Sequence, residues 1–274
     1  MDDQEVIEYY HRGVVCHLIG QDLAIPLDVE FQRPGEGEVP AAKRLLERIF
    51  ANYSRYFDAV VGDGLYFEAP FINFCLEHHK RVVVVVKGDQ RLLLQDAEGL
   101  FSQRSPEGQW TEGRRTVQYW DEDGFTSCEG VSQPLRVLHT LETEQRRERI
   151  AGQWKTSEQT SSWYWATTFS RLQLPSPSLW RAGHWRWHIE NGCFNTTSTH
   201  WGLDHVFKHE PTAIVNFVLT LFLAFVLLQC FWQRNLKPPL RDCFTLIGLA
   251  AELYAALVNT KRRGVPCLPR ARGP

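Results

Sequence analysis

The sequence has no paired cysteines and no apolar leader. Its seven cysteines are scattered, with no Cys-x-x-Cys pair, at positions 16, 75, 128, 193, 230, 243 and 267. An odd number at wide spacing is typical of free thiols in a reducing cytosol and argues against a disulfide framework. Residues 1–5 are acidic and lack an apolar stretch, so we expect no cleaved secretory signal. These features together predict a cytoplasmic protein.

The sequence also lacks a strong charge of either sign. Its net charge is -2 and its pI is near 6.6, whereas a nucleic-acid-binding domain is commonly strongly basic. Two local clusters are positive, namely Arg146, Arg147 and Arg149, and residues 261–263. Each cluster suits phosphate binding or an ordinary solvated surface. The 43% hydrophobic content is enough for one large domain or two small ones.

The first ninety residues predict alternating strands and helices. Residues 14–19 and 24–29 are rich in β-formers and flank a short turn, which predicts two strands. Apolar residues at three- and four-residue spacing predict an amphipathic helix over 38–56, and a second helix is expected over 69–79. The five valines at 82–86 predict a strand buried on both faces. This order indicates a mixed α/β sheet in one layer, with helices covering its parallel part.

The remainder of the chain is predicted to be first strand-rich and then helical. Residues 90–170 contain short β-like pieces at 116–120, 135–138 and 163–168, which indicate a strand-rich insertion. After Pro175 and Pro177 the pattern is helical as far as about residue 259, with breaks at 209–211 and 238–239.

Two acidic positions attract attention. Asp63 follows an apolar strand and lies between two glycines, and functional groups of open α/β sheets gather at the carboxyl ends of strands. Gly-Asp-Gly is also ordinary turn sequence. Arg186 and Glu190 are one helical turn apart on one face, a spacing that equally describes an exposed ion pair.

The surroundings of these acids resemble a known family. The string Arg-Trp-His-Ile-Glu-Asn-Gly-Cys-Phe-Asn at 186–195, followed by His-Trp-Gly-Leu-Asp-His-Val-Phe-Lys-His-Glu-Pro at 200–211, resembles the C-terminal signature of IS4-like DDE transposases. The segment Val-Val-Gly-Asp-Gly-Leu-Tyr at 60–66, with Ala-Pro-Phe at 69–71, is similar to the family's second-aspartate segment. A β-rich insertion between the two motifs is also a family feature.

The resemblance implies an RNase H-like fold in which three carboxylates hold two divalent ions, Mg²⁺ or Mn²⁺. It assigns Asp63 and Glu190 as catalytic metal ligands and Arg186 as a contact to DNA phosphate. It implies transposition by metal-dependent cleavage and transfer of DNA strands, with transposon ends as the partner. A homodimer is compatible with this function.

The sequence departs from the family pattern at three places. The tyrosine expected three residues before Arg186 is Gly183, and the lysine expected about seven residues after Glu190 is Thr197. The first aspartate normally precedes the segment that resembles residues 11–15, and Asp2 and Asp3 are poor substitutes for it. We therefore expect an N-terminally truncated copy with little or no activity.

The resemblance also divides the chain. Residues 1–90 correspond to the first part of the RNase H-like core without its first strand, and residues 91–170 to the insertion. Residues 171–260 form the helical part that completes the core and returns Glu190 to the sheet beside Asp63. Residues 261–274 are expected to be a basic, disordered tail.

Two other interpretations stay open. Residues 213–232 carry no charge and are long enough to span a membrane, so a membrane-anchored protein is the main alternative. The resemblance instead favours a core helix packed under the sheet, with no membrane involved. A zinc site at His200, Asp204, His205 and His209 is a third hypothesis, since each ligand pair shares a helical face. Hydrogen-bonded histidines are the commoner outcome of such spacing.

Overall fold

A computed structural model describes residues 11–88, 91–150, 153–205 and 209–259. Asp2, Asp3 and the tail at 261–274 lie outside these ranges. Contacts divide the described residues into two compact units. The first comprises those of Met1–Gly20 and Leu27–Glu190, and the second those of Gln21–Pro26 and Asn191–Pro274. The predicted division at residues 90, 170 and 260 stays a prediction.

The first part of the chain forms the predicted alternation of strands and helices. Its elements are β1 (Gly13–Leu18), β2 (Ile25–Phe31), α1 (Glu38–Tyr53), β3 (Ala59–Gly62), α2 (Ala69–Glu77) and β4 (Arg81–Val85). The apolar face of α1 is buried as its spacing predicts, with Leu45 and Ile49 each 1% exposed. The valine run of β4 is buried on both faces.

The next segment is strand-rich after one helix. It contains α3 (Arg91–Phe101), β5 (Gly108–Glu112), β6 (Arg115–Phe125), β7 (Leu135–Ile150) and β8 (Gln153–Thr167). The sheet order is β3-β4-β8-β7-β6-β5, in which β3 and β4 are parallel and the other neighbours are antiparallel. The expected mixed α/β class is confirmed, and the sheet is consistent with an RNase H-like fold.

One expectation about the sheet is wrong. The strands of the first ninety residues do not form one layer, because β1 and β2 pair only with each other in the described chain. The edge of β4 is occupied by β8, with Val83 opposite Thr167 and Val85 opposite Trp165. The strand-rich segment thus extends the sheet, because its four strands are hydrogen-bonded into the same sheet as β3 and β4.

The C-terminal part is helical with breaks, as predicted. It consists of α4 (Ser176–Trp185), a π-helix (Ile189–Phe194), α5 (Asn195–Trp201), α6 (Pro211–Cys230), a π-helical turn (Phe231–Asn235), α7 (Pro238–Arg241) and α8 (Leu246–Asn259). Pro211 and Pro238 begin their helices, since proline suits the first turn, where its missing N–H costs no hydrogen bond.

The helix α6 differs from the core helix that the resemblance favours. Only 22% of its most apolar window is buried, and Leu223 and Leu227 are 60% and 59% exposed. The helix and its following turn, Pro211–Asn235, are long and apolar enough to cross a membrane by length and composition. All-round burial is therefore not observed in the part of the chain that is described.

Candidate active site

Asp63 lies directly after β3, at the carboxyl end of that strand. Its Oδ1 accepts a hydrogen bond from the backbone N–H of Leu65 at 2.9 Å, which caps a short 3-10 helix over Gly64–Tyr66. Position 62 needs glycine, because a Cβ there would lie 2.9 Å from the ring of Tyr66. Asp63 thus stabilises the turn after β3. Its side chain is 35% exposed, so it is also accessible to a ligand.

Lys87 is a neighbour of Asp63 that the sequence analysis missed. Because β3 and β4 are parallel, with Gly62 opposite Val84, the residues after both strands meet at one edge of the sheet. The Nζ of Lys87 lies 3.9 Å from Oδ2 of Asp63. The sequence signal was present, since a lysine directly follows the valine run. Both side chains are solvent-exposed, so the pair stabilises the fold by no more than about 1 kcal/mol.

Tyr66 joins the same strand end to α1. Its hydroxyl donates a hydrogen bond to Oε1 of Glu38 at 2.5 Å. Burial raises the pKa of Tyr66 well above its ordinary value, and the carboxylates of Glu38 and Asp63 raise it further. Tyr66 therefore stays a neutral phenol at neutral pH and acts here as a hydrogen-bond donor.

Glu190 lies in the first turn of the π-helix that follows α4. Its Oε1 is 3.2 Å from Nη1 of Arg186, so the ion pair that was the alternative interpretation of this spacing is present. The guanidinium of Arg186 also lies 4.7 Å from the ring centre of Trp187. The Glu190 side chain is 53% exposed and can accept a further ligand. Single π-helical turns occur frequently at functional sites.

The helix that leads to Glu190 is anchored to β7 by a buried carboxylate. Oε1 of Glu142 accepts hydrogen bonds from Nε1 of Trp180 and is paired with Nε2 of His184, each at 2.8 Å. Glu142 is 1% exposed. The last turn of α4, in which His184 lies two residues before Arg186, is therefore fixed to the sheet.

The strand β1 is close to both acid-bearing segments of the first unit. Burial and the nearby charge of His188 lower the pKa of His17 to about 4. A Cβ at Gly20 would lie 3.2 Å from the ring of Trp185, so the chain after β1 packs against α4. The adjacent Cys16 contributes to the raised pKa of Tyr66.

Asp63 and Glu190 each have a separate cationic partner, Lys87 and Arg186. Across residues 11–88, 91–150, 153–205 and 209–259, no group of three or more His, Cys, Asp or Glu side chains is arranged to hold a metal ion. The hypothesis of a zinc site at His200, Asp204, His205 and His209 therefore finds no support.

A comparison with protein-family models shows which family the chain belongs to. The model of the transposase DDE domain matches residues 6–227, which is most of the chain. The chain belongs to this transposase family. Both Asp63 and Glu190 lie within the matched range, and membership supports a transposase function with DNA as the substrate. No curated protein gave a significant match.

Proposed function

We propose that this DDE transposase domain is of the IS4-like type and acts in transposition by metal-dependent cleavage and transfer of DNA strands. The observation that supports this proposal best is the setting of the two acids. Asp63 follows a parallel strand at an accessible edge of the sheet, and Glu190 follows a helix anchored to the same compact unit. Both positions lie within the range that the family model matches, residues 6–227.

In this proposal Asp63 and Glu190 are catalytic metal ligands for Mg²⁺ or Mn²⁺. Their carboxylate oxygens are the hard donors that these cations prefer. A pair of such ions supplies activation of the attacking oxygen and stabilisation of the leaving oxygen. Among the described residues, neither Asp63 nor Glu190 belongs to a group of three or more His, Cys, Asp or Glu side chains that could hold a metal ion. We therefore expect weak metal binding and low activity from the chain as it stands.

The cations beside the acids have a role of their own in this proposal. Lys87 and Arg186 lie close to the carboxylates that would bind metal and offer N–H donors to a DNA phosphate. Arg186 has the more restricted geometry, since its side chain is only 20% exposed and lies against Trp187. We assign Arg186 to DNA binding and Lys87 to neutralising charge at the strand end.

Metal binding can be tested without reliance on activity. We expect the affinity for Mn²⁺, measured by titration calorimetry, to fall about tenfold or more in Asp63→Asn and in Glu190→Gln. Metal-dependent nicking of duplex DNA, where detectable, should be lost in both variants. Asp58→Asn is the matched control, because Asp58 is exposed and precedes β3 at its opposite end. Nicking that survives Glu190→Gln, or equal Mn²⁺ binding by Asp63→Asn and Asp58→Asn, contradicts the assignment.

The proposal includes transposon ends as the DNA partner, a homodimeric assembly and a cytoplasmic location. Light scattering of the purified full chain, with and without duplex DNA, measures the assembly directly. A mass of one chain under both conditions contradicts the dimer.

A membrane-anchored protein is the second candidate, and the exposure of α6 favours it. Two observations favour a domain element instead. The family match continues to residue 227, so it includes most of α6. Gln229 is also buried and hydrogen-bonded to the backbone of Ala24, a distant residue of the loop between β1 and β2. Carbonate extraction of cell membranes separates the candidates, because a spanning protein stays in the pellet.

A further inference from the structure

The imidazole of His184, in the last turn of α4, is surrounded by four tryptophan rings. The distances between ring centres are 4.6 Å to Trp180, 5.2 Å to Trp165, 5.3 Å to Trp187 and 5.9 Å to Trp163. Trp163 and Trp165 belong to β8, whereas Trp180 and Trp187 lie about one helical turn before and after His184. The His184 side chain is only 16% exposed. The imidazole therefore has little space in which to change its rotamer.

One oxygen of Glu142 selects the orientation of this ring. Oε1 of Glu142 lies 2.8 Å from Nε2 of His184, which donates because an ionised carboxylate can only accept. The same oxygen accepts hydrogen bonds from Nε1 of Trp180 at 2.8 Å and from Oγ1 of Thr140 at 3.2 Å. Oε2 pairs with Nη1 of Arg115 at 3.0 Å. Because Trp180 and His184 are one turn apart, their shared acceptor restricts the rotation of α4 about its axis.

Contacts continue from His184 to Glu190. Arg186 has helical backbone angles, with φ -51° and ψ -39°, so α4 leads directly into the π-helix that carries Glu190. The ring of Trp187 packs 5.1 Å from that of Trp163, and the guanidinium of Arg186 lies 4.7 Å from the ring centre of Trp187. Arg186 in turn pairs with Glu190 at 3.2 Å. A packed series of side chains thus connects the sheet to the Glu190 carboxylate.

The direction of the Glu190 side chain depends on how this helical segment is rotated. Glu190 lies six residues after His184, which is about 9 Å along a helix axis. Its side chain is 53% exposed, and Arg186 is its ion-pair partner. Rotation of the segment about its axis would therefore move the carboxylate sideways. Functional side chains must be held within roughly 0.5 Å of their productive position by packed and hydrogen-bonded neighbours.

We propose that His184 is a positioning residue, which uses its hydrogen bond to Glu142 and its tryptophan contacts to set the direction of the Glu190 carboxylate. The inference rests on the proposed function in one respect, namely that Glu190 binds a metal ion. The contacts that hold His184 do not depend on that function.

Three variants of the purified full chain test the positioning role through Mn²⁺ affinity, measured from the EPR signal of the free ion. His184→Phe keeps an aromatic ring among the tryptophans but removes the donor to Glu142, and its affinity should fall about tenfold. His184→Gln supplies an amide donor to Glu142 and should recover most of this loss. Arg181→Ala is the matched control, because it removes an exposed ion pair between α4 and Glu112. It should leave the affinity within about twofold.

A double-variant comparison separates positioning from a general loss of stability. When Glu190 is already replaced by Gln, His184→Phe should cause no further loss of Mn²⁺ affinity, because the side chain that it positions is absent. When Asp63 is replaced by Asn, His184→Phe should still cause its full loss. Equal losses in both backgrounds, or an affinity unchanged by His184→Phe in the otherwise native chain, overturn the proposal.

Hydrogen exchange distinguishes failure of this inference from failure of the proposed function. In His184→Phe, amides 187–194 should exchange faster, whereas those of α1 should not change. That result in a chain that binds no Mn²⁺ supports positioning by His184 and contradicts metal binding. Exchange at 187–194 that is unchanged by His184→Phe contradicts positioning, even where Glu190→Gln abolishes Mn²⁺ binding and thereby supports the metal site. Faster exchange in Arg181→Ala as well would show that any attachment of α4 suffices, which also overturns the assignment to His184.

Discussion

At the scale of single residues, Glu142 shows how a buried charge fixes the helix that precedes Glu190. Its carboxylate is almost fully removed from solvent. Burial alone would raise the pKa of Glu142, but hydrogen bonds from His184 and Trp180 and the charge of Arg115 lower it below the ordinary value of 4.5. The charged form is thus favoured in the folded protein.

This pKa shift predicts a pH dependence of stability. Because the folded state binds this proton less readily than the unfolded state, the stabilisation is present above about pH 4.5 and is lost as the pH falls through the folded pKa. Glu142→Gln should lower the free energy of unfolding by about 1–3 kcal/mol near neutral pH, because Trp180 and His184 lose a charged acceptor. The deficit should shrink as the pH falls below about 4.5 and through the lowered pKa of Glu142. Urea unfolding at several pH values measures both effects.

Glu144 provides the control for this prediction. It lies two residues further along β7 and pairs with the same Arg115, but its side chain is 29% exposed. Glu144→Gln should cost less than about 1 kcal/mol. A deficit for Glu142→Gln that is equally small, or that grows as the pH falls, contradicts the buried-charge account.

Gly183 stands where the resemblance expects a tyrosine, and the structure gives a reason. A Cβ at this position would lie 2.3 Å from Nε1 of Trp165, so the indole occupies the space that a side chain would need. Trp165 is itself completely buried and has little freedom to move. The two residues together explain the departure from the family pattern.

Adding a methyl group at position 183 should therefore destabilise the protein. We expect Gly183→Ala to lower the free energy of unfolding by about 1–3 kcal/mol through overpacking, despite the better helix propensity of alanine. Gly99→Ala is the matched control, since Gly99 lies within α3 and a Cβ there meets nothing within 4 Å. It should gain about 0.5–1 kcal/mol. Equal effects in thermal unfolding would show that Trp165 does not restrict position 183.

At the scale of elements, a buried ion pair holds β6, β7 and the entry to α4 together. Arg136 and Asp121 are 2% and 0% exposed, with Nε to Oδ1 at 2.7 Å and Nη2 to Oδ2 at 2.5 Å. Arg136 also donates to the carbonyls of Ser170 and Leu174. The segment before α4 is thereby attached to the sheet.

Replacing one residue of the Arg136–Asp121 pair should lower the free energy of unfolding more than replacing both. Arg136→Met is expected to lower the free energy of unfolding by about 3–5 kcal/mol, because it leaves the carboxylate of Asp121 buried without its cation. The double variant Arg136→Met/Asp121→Leu should recover part of this loss. A double-mutant cycle by urea unfolding measures the coupling, and additive losses would contradict it. Arg104→Met, which breaks the exposed pair with Glu122, is the control and should cost about 1 kcal/mol or less.

Local sequence patterns predicted the individual helices and strands better than they predicted which strands pair in the sheet. The valines of β4 and the apolar spacing of α1 specify their own conformations, because periodicity and β-branching act over a few residues. The pairing of Val83 with Thr167 is not encoded in either segment alone. It brings together residues more than eighty positions apart, so the separation of β1 and β2 from the main sheet was not predictable.

At the scale of the whole molecule, the long-range contacts of the candidate site were likewise not predictable from local sequence patterns. The sequence identified Asp63 and Glu190 through the resemblance, and the ion pair of Glu190 with Arg186, the alternative interpretation of their spacing, is present. It missed Lys87, which approaches Asp63 only because β3 and β4 run parallel. The attachment of α4 to Glu142 was also not predictable, because it depends on how β7 and β8 fold. The shared role of the two acids stays a prediction.

One long-range contact within the second compact unit bears on the membrane alternative. Nε2 of Gln229 donates to the carbonyl of Ala24 at 2.8 Å, and its Oε1 accepts from the N–H of Ala24 at 2.9 Å. The side chain therefore satisfies both backbone groups of a partly buried residue. A glutamine that interrupts an apolar helix thus joins that helix to the loop between β1 and β2.

Gln229→Leu should lower the free energy of unfolding by about 1–3 kcal/mol, because it leaves both groups of Ala24 without their partner. Gln233→Leu is the control, since Gln233 is exposed and reaches the carbonyl of Asp22 only at 3.5 Å, and its effect should stay within about 0.5 kcal/mol. Hydrogen exchange adds a local readout, as the amide of Ala24 should lose protection in Gln229→Leu alone. A helix placed in lipid would gain from the same substitution, because leucine is the better lipid-facing residue. Stabilisation by Gln229→Leu would therefore contradict the domain assignment of α6 and favour the membrane.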